Sequence, residues 1–66
     1  MKILVNGEPK HIQENVLLSE YILTVADQDT PCAVAVNGEF IPRHQHLNYV
    51  LQDGDDVEIV SPVGGG

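Results

Sequence analysis

Only one stretch of this chain carries a helical period. In residues 16–27, VLLSEYILTVAD, the apolar Leu18, Tyr21, Ile22 and Val25 fall at i, i+3, i+4 and i+7. That spacing is one stripe of an amphipathic helix. Glu20 and Thr24 then look outward. Asn15 can accept an N–H bond as N-cap. Asp27-Gln28-Asp29-Thr30-Pro31 follows, and Pro31 stops any continuation. A lone helix must bury its stripe against another layer, and the only partner large enough is a sheet.

The remaining segments supply that sheet. Residues 2–6, KILVN, place Ile3 and Val5 two apart, a strand signal. Asn6-Gly7 suits a type I′ turn, which needs positive φ at both central positions. Residues 8–14, EPKHIQE, form the returning arm, and Pro9 confines it to an edge or a strand start because it has no N–H to give. Residues 32–37, CAVAVN, set Val34 and Val36 on one face, Asn37-Gly38 makes a second tight turn, and Phe40-Ile41 is a short strand ended by Pro42. Periodicity is indistinct over residues 43–51, where Leu47, Tyr49 and Leu51 are candidate core contacts. Asp53-Gly54 signals a third turn. Residues 56–60, DVEIV, alternate with Val57 and Ile59 on one face.

The economical solution is an α+β fold of the ubiquitin-like β-grasp kind. It has a mixed sheet of four to five strands wrapped over one main helix, with the first and last strands central and parallel. Residues 1–60 form this domain and residues 61–66 a flexible Gly-rich C-terminal tail. Ile3, Val5, Val34, Val36, Ile41, Val57 and Ile59 then face the helix. Period two sends Leu4, Ala33, Ala35, Phe40 and Val60 to the outer face. An apolar outer face marks a docking surface, for which Leu4, Phe40 and Val60 are the candidates.

Size and charge exclude several functions. The chain has 66 residues. A domain this small spares little interior for a pocket of about 300–1,000 Å³, which argues against a self-contained enzyme. Three Lys plus Arg against ten Asp plus Glu give a net charge of −7. That excess repels phosphate backbones and anionic lipid, so neither nucleic acid nor a membrane is an expected partner. It suits docking onto basic protein surfaces, or solubility alone. One cysteine, Cys32, excludes an internal disulfide. The longest apolar run, residues 32–36, is far too short to cross a bilayer. The start, MKILVNG, lacks the apolar region of a signal peptide, so the expected location is cytoplasmic.

No side-chain constellation carries chemistry. His44 and His46, in RHQH, would share one face on a strand, but His11 and Cys32 do not complete a tetrahedral set, so no metal site is expected. Asp53, Asp55 and Asp56 lack the order and closing Glu of a calcium loop and read as a solvated turn. Cys32 reads as a small buried residue. Arg43, the single arginine, either holds a turn or touches a partner. No Ser-His-Asp set, P-loop or GxGxxG is present, and no cofactor is expected on this chain.

The tail is different. Gly64-Gly65-Gly66 has no Cβ to obstruct a narrow channel. Residues 61–66, extended at about 3.3–3.6 Å each, reach roughly 20 Å. Such an arm carries a terminal carboxylate into another protein's active site. Adenylation by ATP makes that carboxylate an electrophile, and a sulfur nucleophile replacing AMP leaves a terminal thiocarboxylate. The plainer alternative is a frayed terminus.

Taken together, the length, the element order, NGEFIPR at residues 37–43 and QDGDDVEIVSPVGGG at residues 52–66 resemble the ThiS family of sulfur carriers in thiamine biosynthesis. The resemblance implies a carrier protein acted on by partner enzymes, not an enzyme itself. It implies that Gly66 is adenylated by a ThiF-like enzyme that uses ATP, with Gly64 and Gly65 as the flexible approach. A cysteine desulfurase relay would supply the sulfur, and a ThiG-like thiazole synthase would consume it. Pro62, at the base of the tail, and the start of the helix depart from the family pattern. Two other readings stand beside it. One is the small subunit of molybdopterin synthase, whose chains are longer between the helix and the last strand. The other is an acidic interaction module or protein modifier whose tail does no sulfur chemistry.

Overall fold

A computed structural model describes residues 1–26 and 32–60 of the chain. Strand β1 (Lys2–Val5) turns through Asn6-Gly7 into β2 (Glu8–His11). Helix α1 (Leu18–Val25) follows, then β3 (Ala33–Val36), β4 (Glu39–Ile41), a 3₁₀ helix (Arg43–Asn48) and β5 (Asp56–Val60). The five strands form one mixed sheet in the order β2-β1-β5-β3-β4. First and last strands are central neighbours and parallel, with Val5 opposite Val57. The other pairs are antiparallel. This is the β-grasp arrangement expected from the element order.

Turn chemistry sets the hairpins. Asn6 and Gly7 have φ of 52° and 84°, and Asn37 and Gly38 have 55° and 81°. Both pairs therefore take the left-handed values a type I′ turn requires. Pro9 stands on β2, an edge strand, where its missing N–H faces no further strand. The second arm of this hairpin is shorter than residues 8–14: β2 ends at His11. Only Ile12 continues the pairing, its N–H donating to Met1 C=O at 2.8 Å.

Ten buried apolar residues make the core: Ile3, Val5, Leu18, Tyr21, Ile22, Val34, Val36, Ile41, Leu51 and Val57. All the inward sheet positions expected from alternation are among them except Ile59, which packs against this core half-buried.

The helix is shorter and starts differently than its period suggests. It runs over eight residues, not residues 16–27. Asn15 is not its N-cap; it takes a left-handed φ of 62° two residues too early. The N-cap is Leu17, whose N–H donates to Glu20 Oε1 at 3.0 Å. Leucine has no oxygen to return that bond, so only half of a capping box forms. Tertiary pairing fixes the start instead. Leu18 N–H donates to Tyr49 C=O at 2.8 Å and Leu51 N–H to Val16 C=O at 2.9 Å. These bonds flank a bridge between Leu17 and Val50 and hold residues 16–18 in an extended strip. Leu18, Tyr21 and Ile22 are buried as the stripe requires, but Val25, the last helical residue, is exposed and Ala26 packs on the core in its place.

In the indistinct segment, the 3₁₀ helix has three residues per turn. That period turns His46 and Tyr49 inward and Leu47 out. His46 is buried and Leu47 is 68% exposed, so of the three expected core contacts Leu51 is fully seated, Tyr49 partly and Leu47 not at all.

Candidate functional site

The outer face of the sheet is built by the same alternation that builds the core. Residues directly opposite one another across an antiparallel pair share a face, with Cβ atoms about 4.5–5.5 Å apart. Phe40 on β4 is opposite Ala35 on β3, Ala35 is opposite Glu58 on β5, and Ala33 is opposite Val60. Phe40, Ala35, Ala33 and Val60 therefore form one apolar patch over β4, β3 and the end of β5. Phe40 is 63% exposed and Val60 60%. Exposed Glu58 and Asp56, alternating with Val60 along β5, give the patch an acidic rim.

Leu4 shares the outer face but not this patch. It pairs with Asp56 on one side and Pro9 on the other. Val60 lies four residues farther along β5, about 13 Å away. The carboxylates of Asp56 and Glu58 stand between the two. The three candidate docking residues thus divide into Phe40 with Val60, and Leu4 apart.

Val60 is also the last described residue before the tail. Gly64, Gly65 and Gly66, the expected reactive segment, lie outside the described residues, as do Pro62 and residues 27–31. Up to that point β5 is held on both flanks. Leu4 N–H donates to Asp55 C=O at 2.9 Å and Asn6 N–H to Val57 C=O at 2.8 Å. The Asn6 side chain goes further: Oδ1 accepts the Ile59 N–H at 2.8 Å and Nδ2 donates to Ile59 C=O at 3.2 Å. At the other end of β5, Asn37 Oδ1 accepts the Asp56 N–H at 3.0 Å, and its Nδ2 donates to Asp55 Oδ1 at 3.1 Å. Asp55 is buried, and its Oδ2 accepts the Gln52 N–H at 2.9 Å. Sequence reasoning identified both asparagines as turn formers and missed these side-chain roles. The signal for them is long-range and appears only once β5 is known to lie between the two turns.

The remaining candidates do not come together at one place. His44 and His46 do not share a face: on the 3₁₀ helix His44 is exposed while buried His46 bonds Ile41 C=O through Nε2 at 2.9 Å. Among the described residues no three His, Cys, Asp or Glu side chains are grouped to hold a metal ion. Cys32 is half-buried against the core beside β3. Arg43 is exposed at the start of the 3₁₀ helix. The Tyr49 phenol titrates above its ordinary value, mainly because burial disfavours the phenolate and secondarily because Asp55 and Glu39 repel it. Among the described residues no helix is long and apolar enough to cross a membrane.

Comparison with known proteins identifies relatives that share this arrangement. Residues 3–66 match the ThiS family. The chain is 26% identical over 66 residues to the sulfur carrier protein ThiS of Escherichia coli, covering all of both chains. It is 29% identical to a thiazole synthase of Paramagnetospirillum magneticum, spanning only 20% of that protein's length. The crystal structure of a thiamine biosynthesis protein, ThiS, from Geobacter metallireducens superposes with a TM-score of 0.79 at 33% identity, covering all of both chains.

Proposed function

The chain belongs to the ThiS family, and on that premise we propose that it is a sulfur carrier of thiamine biosynthesis whose reactive atom sits on its C-terminal glycine, Gly66. The supporting observation is the full-length match to a sulfur carrier. The chemistry belongs to partner enzymes. A Gly66 carboxylate oxygen attacks the α-phosphorus of ATP on a ThiF-like activating enzyme, and pyrophosphate leaves. The outer sulfur of a persulfide on a cysteine desulfurase relay attacks the acyl carbon and expels AMP, and a thiol of the partner enzyme then cleaves the resulting acyl disulfide, releasing the terminal sulfur and leaving a disulfide on the partner. The terminus is then a thiocarboxylate. Gly64 and Gly65 let it thread the channels of these enzymes, and the protein works beside them in the cytoplasm.

The consumer of that sulfur is a thiazole synthase. In two relatives bearing that name, this whole chain corresponds to 20% of a longer protein. Joining the carrier to the synthase keeps the thiocarboxylate at high effective concentration beside its acceptor. This favours thiazole over the pterin client of the molybdopterin synthase reading. The patch of Phe40, Ala35, Ala33 and Val60 is the docking surface for the activating enzyme. It adjoins the tail, so docking sets the arm at its channel, and the acidic rim of Asp56 and Glu58 selects a basic partner surface.

Intact-protein mass spectrometry tests the proposal. Incubated with an activating enzyme, ATP and a sulfur source, the chain gains the mass difference between sulfur and oxygen at its terminus. Attachment to lysines would instead identify a protein modifier, and an unchanged mass an inert module.

A further inference from the structure

We propose that Asn6 is a positioning residue for the tail: its side chain replaces the missing end of β1 and fixes the backbone at Ile59, from which the reactive arm departs. The inference rests on the carrier reading above.

The geometry carries it. Val5 pairs with Val57, and there β1 ends in its turn while β5 continues to Val60. An ordinary central strand would meet further peptide groups on that side. Asn6 supplies the equivalent from its side chain. Its planar amide offers one acceptor and one donor, as a peptide does, and both are used on Ile59, at 2.8 and 3.2 Å. On the opposite side, β3 pairs Ala33 with Val60. Beta5 is thus gripped from both flanks at its last residues. Without the Asn6 amide it would be gripped there from one flank only, and the Ile59 N–H, which points toward Asn6, would turn to solvent instead of to the protein.

The consequence is kinetic. With the body docked, a shift of the backbone at Ile59 moves the point from which the chain continues toward its terminus. Misplacing a reacting group by about 1 Å costs up to ~10²-fold in rate. Reordering one loosened backbone residue at each engagement costs about tenfold. Asn37 is the matched control. It closes the same kind of turn, and its Oδ1 accepts a β5 N–H, that of Asp56 at the end remote from the tail, while its Nδ2 donates to the Asp55 carboxylate.

The experiment compares Asn6→Gly and Asn37→Gly with the unaltered chain. Glycine accepts the positive φ at both positions, so both turns are retained. Rates of thiocarboxylate formation by an activating enzyme with ATP and sulfide are read by intact mass, alongside Tm and amide exchange at Ile59. Asn6→Gly is expected to accelerate Ile59 exchange and lower kcat about tenfold at unchanged KM. Asn37→Gly stays within about twofold of the unaltered kcat at a similar loss of Tm. Asn6→Asp, which retains the acceptor for the Ile59 N–H and loses the donor, falls between. Equal losses in the two glycine variants, or a raised KM at constant kcat, overturn the positioning role. Unaltered chain that takes up no sulfur brings down the carrier reading instead.

Discussion

Phe40 lies directly opposite Ala35 on the outer face of the sheet, and beside this small alanine it stays 63% exposed. A large ring beside a small neighbour is the geometry of an anchor residue, since a partner can close over it from several sides. Phe40→Asp is expected to weaken binding to the activating enzyme by about 30-fold or more, as for a central aromatic anchor. Tm should barely change because the ring contributes little to the core. Unchanged affinity by titration calorimetry would remove the patch from the interface. The parallel change Leu4→Asp, on the far side of the acidic row, should have a much smaller effect.

Blocking the terminus separates handle from chemistry. A chain capped as the amide at Gly66, or lacking Gly66, is expected to bind the activating enzyme yet never acquire sulfur. Its Tm should match that of the unaltered chain, because among the described residues the core is complete by Ile59. Sulfur uptake by the amide, seen in the mass spectrum, would refute the proposed site.

Leu51 and Leu47 form a pair of opposite expectation. Leu51 is 1% exposed and sits in the core, so Leu51→Ala should cost about 2–5 kcal/mol in urea denaturation. Leu47 projects from the 3₁₀ helix, and Leu47→Ala should stay within about 0.5 kcal/mol. Similar costs at the two sites would mean that residues 43–51 pack differently from the arrangement described.

Tyr49 predicts an alkaline signature. Its phenol ionises above the ordinary 10.0 in the folded protein, because burial and the nearby Asp55 and Glu39 disfavour the phenolate. The unfolded chain therefore loses this proton first. The stabilisation is complete below pH 10.0 and is lost as pH rises through the higher folded value. Tm of Tyr49→Phe should decline less steeply above that pH than Tm of the unaltered chain. Parallel declines would assign alkaline unfolding to other groups.

The parts legible in the sequence were those determined by neighbours along the chain. Asn-Gly pairs need positive φ whatever surrounds them, and alternation in KILV, AVAV and DVEIV places side chains on two faces in any sheet. What escaped depends on contacts between distant residues. Leu17 has no capping oxygen and begins the helix only because Val50 pairs with it. His46 is polar, yet the 3₁₀ period turns it inward to a carbonyl that accommodates it. Asn6 looked like a turn residue alone because nothing local reveals that Ile59 lies beside it. Leu4, Phe40 and Val60 were correctly read as outward, but which of them adjoin depends on strand register.

Beta5's place in the middle of the sheet has a mechanical consequence. A pull on the chain beyond Val60 would run along β5, whose bonds to the strands on either side lie across that direction. The load is therefore taken in shear by many bonds at once, where a peripheral strand peeled from its edge would yield one bond after another. Position in the sheet, more than the strength of any one bond, thus sets how the body meets a load on its last strand.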